Sequence, residues 1–149
     1  MEIITDNTRA SFVYIEHVCR EKTSWLFSII LSYILSPRLT KIYLIKENNN
    51  IIGGFTTSKT PTILFHPKKI FNREFRQTVQ KISKNRKYLS HFLIFEKYRE
   101  QWSGSQVIEN LSQKWKEKIW LVSEKTAVWF YRKMKLYEVD RRYHIFLIH

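Results

Sequence analysis

One stretch of this sequence has the residue types and the spacing of an anion-binding turn. Residues 98–111 read YREQWSGSQVIENL, in which Arg99 precedes a polar turn, Gly104 follows it, and an apolar helical pattern comes next. Backbone N–H groups at a helix N-terminus attract phosphate oxygens, and a glycine lets a ligand approach the chain closely. Trp102, the largest side chain available, lies in the middle of the turn. The spacing therefore predicts a phosphate site whose access depends on the direction of the Trp102 ring.

The charge balance of the whole chain also favours anionic ligands. The sequence has 26 Lys and Arg against 13 Asp and Glu, a formal net charge of +13. Such a surface attracts nucleic acid, acidic lipid or a small polyphosphate ligand, although a solvated basic surface without a specific partner has the same composition. Neither an RNA signature with interleaved aromatic residues nor a standard DNA-binding motif is visible, so a primary nucleic-acid role is the secondary interpretation.

Length and cysteine content restrict the class of protein. The chain has 149 residues, which fits one domain with a substantial core. Cys19 is the one cysteine, so an internal disulfide framework is excluded, and no Cys/His cluster has metal-ligand spacing. We therefore expect a single domain over residues 1–149, no metal, and a reducing, cytoplasmic compartment.

The longest apolar run is WLFSIILSYIL, residues 25–35. It is too short to cross a bilayer as a helix, and the N-terminal residues MEIITDNTR lack a secretory pattern. We expect a buried helix here and no integral membrane association. An interfacial membrane helix is the alternative.

The elements that must position these residues follow from hydrophobic periodicity. Residues 11–18 fit a short strand or the start of a helix, and residues 24–36 look helical. Two β-rich segments, 41–46 and 51–58, flank an asparagine turn and predict a hairpin. A short strand at 62–65 and an amphipathic helix from Pro67 to Lys84 come next, followed by a central strand at 89–95, a helix at 103–116 and a strand at 119–123. The last predicted elements are a helix with Ala127, Phe130, Tyr131 and Met134 on one face and one or two strands in 137–149.

The order of these elements predicts the fold class. A helix between the strands at 89–95 and 119–123 makes them parallel neighbours. We expect a mixed α/β (α+β) domain, whose central sheet has antiparallel N-terminal strands, one parallel strand pair and flanking helices.

With these elements in this order, residues 41–147 resemble the GNAT family of acetyl-CoA-dependent N-acetyltransferases. The family's cofactor loop, Arg/Gln-x-x-Gly-x-Gly/Ala, is similar to the run Arg99-Glu100-Gln101-Trp102-Ser103-Gly104, which lies between a predicted strand and a predicted helix. A second segment, EKTAVWFYRKMKLYEV at 124–139, is similar to the family's helix that carries a tyrosine and ends in a Lys-x-Gly-Phe-like turn.

This chain departs from the family pattern at several positions. Trp102 replaces the first glycine of the loop, and Glu100 stands where glycine is frequent. Glu124 stands where asparagine is common, and Lys135 replaces the glycine of the turn. The resemblance therefore implies a divergent GNAT-like protein.

The resemblance also implies site residues. In the family a parallel strand pair splays apart at the cofactor site, and backbone N–H groups of the central strand donate hydrogen bonds to the thioester carbonyl. Main-chain N–H groups of the loop bind the phosphates. A tyrosine protonates the departing thiolate. The implied cofactor-binding residues are Leu93, Ile94, Arg99, Glu100, Gln101, Trp102, Ser103, Gly104, Ser105 and Tyr131, and Tyr131 is also the implied acid.

The general base is a separate question. His91 lies on the central strand and is a candidate, because an imidazole titrates near neutral pH. Tyr88 or a chain of water molecules is an equal alternative. Glu124 would contact the amine or would be a solvated loop charge.

The resemblance implies transfer of an acetyl group from acetyl-CoA to a primary amine of a small molecule or a protein, without a metal. The alternative is a catalytically degenerate protein of the same fold that binds a polyanion, with the basic helical insertion at about 67–87 as the contact. Dimers are common for this kind of fold, so a homodimer is a further expectation.

Overall fold

The computed structural model describes residues 1–5, 8–35, 38–59, 71–101 and 104–148. Within these ranges the chain forms seven strands, five α-helices and two short 3₁₀ turns, at Glu96–Tyr98 and Lys125–Ala127. In chain order the elements are β1 (Glu2–Thr5), α1 (Thr8–Glu21), α2 (Thr23–Leu35), β2 (Lys41–Glu47), β3 (Asn50–Ser58), α3 (Arg73–Ser83), β4 (Lys87–Ile94), α4 (Gly104–Lys114), β5 (Ile119–Val122), α5 (Val128–Lys133), β6 (Tyr137–Asp140) and β7 (Ile145–Ile148).

The strands are ordered β1-β2-β3-β4-β5-β7-β6 in one mixed sheet. Antiparallel pairs join β1 to β2, β2 to β3, β5 to β7 and β6 to β7. The parallel pair is β4 and β5, in a register that places Lys87 opposite Ile119 and Tyr88 opposite Trp120. This arrangement confirms the predicted mixed α/β fold, with antiparallel N-terminal strands and a parallel pair joined through α4.

The chain divides into two compact units. The first contains residues 1–58 and 89–103, and the second contains residues 59–88 and 104–149. Strand β4 contributes its first two residues to the second unit and the others to the first. The single domain over residues 1–149, with its basic insertion, stays a prediction.

In the first unit, residues 41–58 form the predicted hairpin. Asn48 and Asn49 connect β2 to β3 with φ of 46° and 66°, the left-handed conformation that a tight hairpin turn requires and that asparagine tolerates. The ambiguous segment 11–18 is helical and lies inside α1. Helices and strands share a core in this unit, whose buried members are Ala10, Tyr14, Val18, Ile29, Ile42, Leu44, Leu93 and Phe95.

In the second unit, α3 is amphipathic as predicted. Phe75, Val79 and Ile82 are buried on one side of the helix, and they pack with Tyr88, Trp120, Ile145 and Leu147. Asn72 caps the N-terminus, because its side-chain oxygen accepts hydrogen bonds from the N–H groups of Glu74 and Phe75 at 2.9 and 3.2 Å. The strand predicted at 62–65 and the helix start predicted at Pro67 lie outside the described residues.

Two differences from the sequence prediction concern an additional strand and the length of a helix. β1 was not predicted, and it pairs with β2 at the edge of the sheet. The helix predicted around Tyr131 has only six residues, because a 3₁₀ turn precedes it and Lys135, at φ 55°, ends it.

Helix α2 agrees with the helix predicted at 24–36 as far as Leu35, and residue 36 lies outside the described residues. The expectation of a buried helix is wrong for one face, because Phe27, Ile30 and Ile34 are exposed, whereas Ile29 is buried. Among the residues that the structure describes, no helix is both long and apolar enough to pass through a bilayer.

Candidate functional site

The predicted site residues fall into two groups, one in each compact unit. His91, Leu93 and Ile94 lie on β4, and Arg99, Glu100 and Gln101 follow it, all in the first unit. Gly104, Ser105 and Tyr131 belong to the second unit. Trp102 and Ser103 lie outside the described residues, so the predicted direction of the Trp102 ring stays a prediction.

His91 interrupts the extended backbone of β4. Its φ is 52°, a left-handed conformation that is uncommon for any residue except glycine and that redirects a strand locally. The imidazole is 5% exposed. Its Nδ1 atom lies 2.6 Å from Thr56 Oγ1, and its Nε2 atom lies 3.2 Å from Ser28 Oγ. The Tyr14 hydroxyl donates a hydrogen bond to the His91 carbonyl oxygen.

Burial decides the charge of this histidine. Desolvation lowers the pKa of His91 to about 3, because a buried site disfavours the charged imidazolium. The ring is therefore neutral at neutral pH, and both nitrogens have hydroxyl neighbours. These contacts describe a histidine that fixes the backbone of β4. Its role as general base stays a prediction.

Leu93 and Ile94 are 4% and 7% exposed and end the strand. Their backbone lies very close to Gly53 of β3, because a Cβ atom at Gly53 would stand 2.3 Å from the Leu93 carbonyl oxygen. On the other side, Arg99 Nε donates a hydrogen bond of 2.8 Å to the Ile94 carbonyl oxygen. Leu93 and Ile94 are the residues that the resemblance assigns to the thioester. Close packing against Gly53 and the hydrogen bond from Arg99 thus hold their backbone in place.

Arg99 also forms an ion pair with Glu21 at the end of α1. Glu21 accepts further contacts from the Glu96 N–H at 3.2 Å and from His17 Nδ1 at 3.3 Å. Burial opposes ionisation of Glu21, but the Glu96 N–H, Arg99 and His17 together lower its pKa. Arg99, one of the implied cofactor-binding residues, is therefore paired with a carboxylate that the sequence prediction did not include.

The turn after β4 continues past Arg99. Glu100 and Gln101 are exposed, and the Gln101 N–H donates to the Tyr98 carbonyl oxygen at 3.1 Å.

Helix α4 begins at Gly104. Gly104 does not have a positive φ, so it serves as the first residue of a helix rather than as a left-handed turn. Val107, Ile108 and Leu111 are buried, as the predicted inner face requires. The N-terminus of such a helix carries partial positive charge, which keeps the predicted phosphate seat physically reasonable.

Tyr131 lies in α5 with its ring 5.4 Å from that of Phe146 and 5.1 Å from that of Phe130. Burial, and to a lesser extent the charge of Glu124, raise the pKa of Tyr131 to about 12. The phenol is therefore protonated at neutral pH, as a proton donor must be. In the same unit Tyr88 is buried against Trp120, with ring centroids 4.7 Å apart, and its pKa is also raised, first by burial and then by Tyr131.

In the turn after α5, Lys135 takes the place of the glycine in the family pattern. Lys135 adopts a φ of 55°, its N–H donates to the Arg132 carbonyl oxygen at 2.9 Å, and the Leu136 N–H donates to the Tyr131 carbonyl oxygen at 3.3 Å. A left-handed residue that closes a helix in this way is most often glycine. Here a lysine takes the same conformation.

A basic groove of about 500 Å³ follows this turn. Arg132 and Glu138 form a two-point contact in it, at 3.0 and 2.9 Å. The lining residues are Arg132, Lys135, Leu136, Tyr137, Glu138 and Arg141. In the described ranges, no group of three or more metal-binding side chains was found.

Solved structures of other proteins are similar to this chain in fold, although its sequence matches no protein-family model and no curated protein sequence. A Bacteroides thetaiotaomicron protein assigned to the GNAT family of acetyltransferases is similar in structure, with a TM-score of 0.59 and 16% identity over 99% of this chain and 85% of that chain. GCN5 from Tetrahymena is similar with a TM-score of 0.51 and 12% identity, over 99% of this chain and 95% of that chain. These likenesses agree with the family resemblance of the two sequence segments, and we conclude that this chain has the GNAT acetyltransferase fold.

Proposed function

We propose that this chain is a GNAT-type N-acyltransferase that moves an acetyl group from acetyl-CoA to a primary amine. The observation that carries the proposal is the fold, which is similar to a GNAT protein over 99% of the chain. The Arg99–Gly104 run supports it further, since this run connects β4 to α4 in the order that the family resemblance requires.

The reaction makes three demands on the protein. The amine nitrogen attacks the thioester carbonyl carbon, the C–S bond breaks, the thiolate accepts a proton, and the new amide nitrogen loses one. We assign polarisation of the carbonyl to backbone N–H groups of Leu93 and Ile94. Such a role depends on where the backbone is fixed, which is consistent with the contacts that Gly53 and Arg99 make to these two residues.

The two proton transfers are assigned to separate groups. We assign protonation of the thiolate to Tyr131, on the family resemblance. Burial raises the pKa of its phenol, so the proton is present at neutral pH, but the same shift makes the phenol a weaker acid than an ordinary tyrosine. His91 is the candidate base, although its burial means that it would accept a proton only weakly at neutral pH. Tyr88 and a chain of water molecules are the alternatives, with His91 then acting through the shape of β4.

A calorimetric titration tests the cofactor. Acetyl-CoA is titrated into the full chain at moderate and at high salt, and ATP serves as the polyanion control. We expect acetyl-CoA to bind more tightly than ATP and to keep most of its affinity at high salt, because pantetheine contacts are not screened. Equal affinities that both disappear at high salt would mean that only the basic surface binds.

An acceptor screen tests the reaction. Small amines, peptides and polyamines are incubated with acetyl-CoA, and free thiol is measured. Release of thiol that depends on the amine supports the proposal. If acetyl-CoA is neither bound nor consumed with any acceptor, the enzyme assignment is wrong.

A second candidate function is polyanion binding by α3. Arg73, Arg76, Lys81 and Lys84 are exposed, while the buried residues lie on the opposite side of the helix. None of the four forms an ion pair within the described part of the chain, which leaves their charge available. Two further lysines of the predicted basic segment, Lys68 and Lys69, lie outside the described residues.

Salt dependence tests this second candidate. If α3 contacts nucleic acid, the logarithm of affinity falls linearly with the logarithm of salt concentration, and reversing four charges lowers the slope by roughly four. Reversal of Lys114 and Lys116, which are also exposed, is the control. An unchanged slope in the α3 variant would remove this helix from the proposal.

A further inference from the structure

Helix α2 has hydrocarbon side chains on its outer side and hydroxyl groups on its inner side. Phe27, Ile30 and Ile34 are 66%, 46% and 68% exposed, and their i, i+3, i+7 spacing places them on one face. Ser28 and Ser32 are each 5% exposed. Isolated exposed apolar residues are ordinary, but an uncharged apolar helix face is not.

Hydrogen bonds fix this orientation of α2. Ser28 Oγ lies 3.2 Å from His91 Nε2, and Ser32 Oγ donates to the Ser28 carbonyl oxygen at 2.9 Å. The Thr40 hydroxyl then donates to the Ser32 carbonyl oxygen at 3.0 Å. The Ser32–Ser28 bond lies within α2 and turns with it. Rotating the helix to bury Phe27 would break the other two contacts, Ser28 with His91 and Thr40 with Ser32, so the apolar face stays outside.

A cation lies at each end of the helix. The sequence from Thr23 to Leu35 contains no charged residue, whereas Lys22 precedes it and Arg38 follows it, both exposed. Neither cation forms an ion pair with another described residue, although the Lys22 ammonium lies 5.8 Å from the centre of the Trp25 ring. The face is thus apolar from Phe27 to Ile34, and an exposed cation lies beyond each end of the helix.

We propose that this face of α2 docks on the surface of an anionic phospholipid bilayer, with the helix axis in the plane of the interface. The helix is about 20 Å long, and a helix in this position inserts its apolar side chains into the headgroup boundary. Lys22 and Arg38 then lie at headgroup level, where each cation is attracted by anionic lipid. The net charge of +13 adds long-range attraction.

A second copy of this chain fits the face less well. A stable protein interface takes roughly 800 Å² from each partner, and the three apolar side chains, at no more than about 250 Å² each, do not supply that area by themselves. Self-association through a two-fold axis would also bring the cations of one face towards those of the other. The charges therefore favour lipid.

Vesicle flotation with the full chain is the test. The probes are phosphatidylcholine vesicles and vesicles in which about a third of the lipid is phosphatidylserine. We expect flotation with the second kind only, and a loss of roughly tenfold or more in partitioning when Phe27, Ile30 and Ile34 are all changed to serine. Trp129→Ser is the matched control, because Trp129 is 65% exposed on α5.

Two further variants separate the apolar contribution to membrane binding from the electrostatic one. Ile34→Ser alone, whose fold is checked by circular dichroism, keeps the test decisive if the triple variant does not fold. Lys22→Glu with Arg38→Glu should weaken binding by at least about tenfold, at roughly 1 kcal/mol for each charge removed. Reversing Lys114 and Lys116, which are exposed on another helix or just after it, should weaken binding less.

Three outcomes would overturn the proposal. The first is no flotation with anionic vesicles. The second is an equal loss for the α2 variants and for Trp129→Ser, which would mean unspecific contact. The third is a dimer in light scattering that Ile34→Ser dissociates, which would identify a second copy as the occupant of the face. None of these outcomes depends on acetyl transfer.

Discussion

The Nδ1 atom of His91 lies 2.6 Å from the Oγ1 atom of Thr56, and this contact connects the left-handed residue of β4 to its neighbour β3. Thr56 Oγ1 also lies 2.8 Å from Ser90 Oγ. Thr56 and His91 are buried and Ser90 is partly buried, so these hydrogen bonds form with little competition from water. A histidine placed in this way has a structural role in β4 that does not depend on whether it also acts as the general base.

The buried imidazole should make stability depend on pH. The folded-state pKa of His91, about 3, is below the ordinary value of 6.5, so as the pH falls the unfolded chain binds this proton first. Below about pH 6.5 the free energy of unfolding should therefore decrease with falling pH, by up to about 1.4 kcal/mol per pH unit. Urea unfolding between about pH 7 and about pH 5, where most carboxylates stay ionised, measures this slope.

His91→Asn is the matched variant. Asparagine tolerates a left-handed conformation and offers polar atoms to Thr56 and Ser28, but it does not titrate. The variant should be less stable than the original chain near neutral pH and should have a flatter pH profile. Two parallel profiles would mean that His91 binds its proton equally in the folded and unfolded chain.

The position of Lys135 gives a prediction about stability alone. A left-handed φ of 55° costs a lysine energy that glycine does not pay. Lys135→Gly should therefore raise the free energy of unfolding by about 0.5–1 kcal/mol, measured by urea titration at constant pH. Lys133→Gly, inside α5, should lower it by about 1 kcal/mol. Destabilisation by both glycines would show that the left-handed turn at Lys135 is wrong.

Local patterns predicted most of the fold because their physical causes are local. The hairpin at 41–58 follows from two β-rich runs and from asparagines that accept positive φ, and the buried side of α3 follows from the spacing of Phe75, Val79 and Ile82. The parallel pairing of β4 with β5 follows from the helix between them.

The rest depends on contacts between distant residues. Glu21 and Arg99 are far apart in sequence, and neither belongs to a periodic pattern that would predict their ion pair. The shortness of α5 depends on the backbone angle of Lys135, which hydrophobic spacing does not encode. The orientation of α2 was also missed, because it depends on the contact of Ser28 with His91, two residues that are far apart in sequence.

Tyr131→Phe separates chemistry from packing. Phenylalanine keeps the ring contacts with Phe130 and Phe146 and removes only the hydroxyl. If Tyr131 is the proton donor, kcat should fall by about 10²-fold or more, because general acid catalysis contributes that much. The Kd of acetyl-CoA should change by less than about twofold.

Tyr88→Phe is the control for this variant, since Tyr88 is buried in the same unit. It should lower kcat less than Tyr131→Phe does. An unchanged kcat in Tyr131→Phe would remove Tyr131 as the proton donor, and an inactive Tyr88→Phe beside it would assign a proton transfer to Tyr88 instead.

Gly53→Ala tests whether the close approach of β3 to β4 matters for both stability and function. The new Cβ atom would lie 2.3 Å from the Leu93 carbonyl oxygen and 3.1 Å from Ile94 Cα, and both of these atoms belong to backbone that cannot rotate away. The strands must therefore separate locally, and we expect the free energy of unfolding to fall by about 1–3 kcal/mol, measured with urea. Asn50→Ala, at the exposed start of β3, is the control and should change it by less than about 0.5 kcal/mol.

The same variant distinguishes a backbone role of β4 from a side-chain role. If N–H groups of Leu93 and Ile94 polarise the thioester, a displaced β4 should lower kcat even below the melting transition, where the variant is still folded. If only Tyr131 matters, kcat per folded molecule should be that of the original chain, because Gly53 and Tyr131 belong to different compact units. Initial rates, corrected for the folded fraction by circular dichroism, separate these results. A normal kcat in folded Gly53→Ala would therefore argue against the backbone assignment and leave the proton donor untouched.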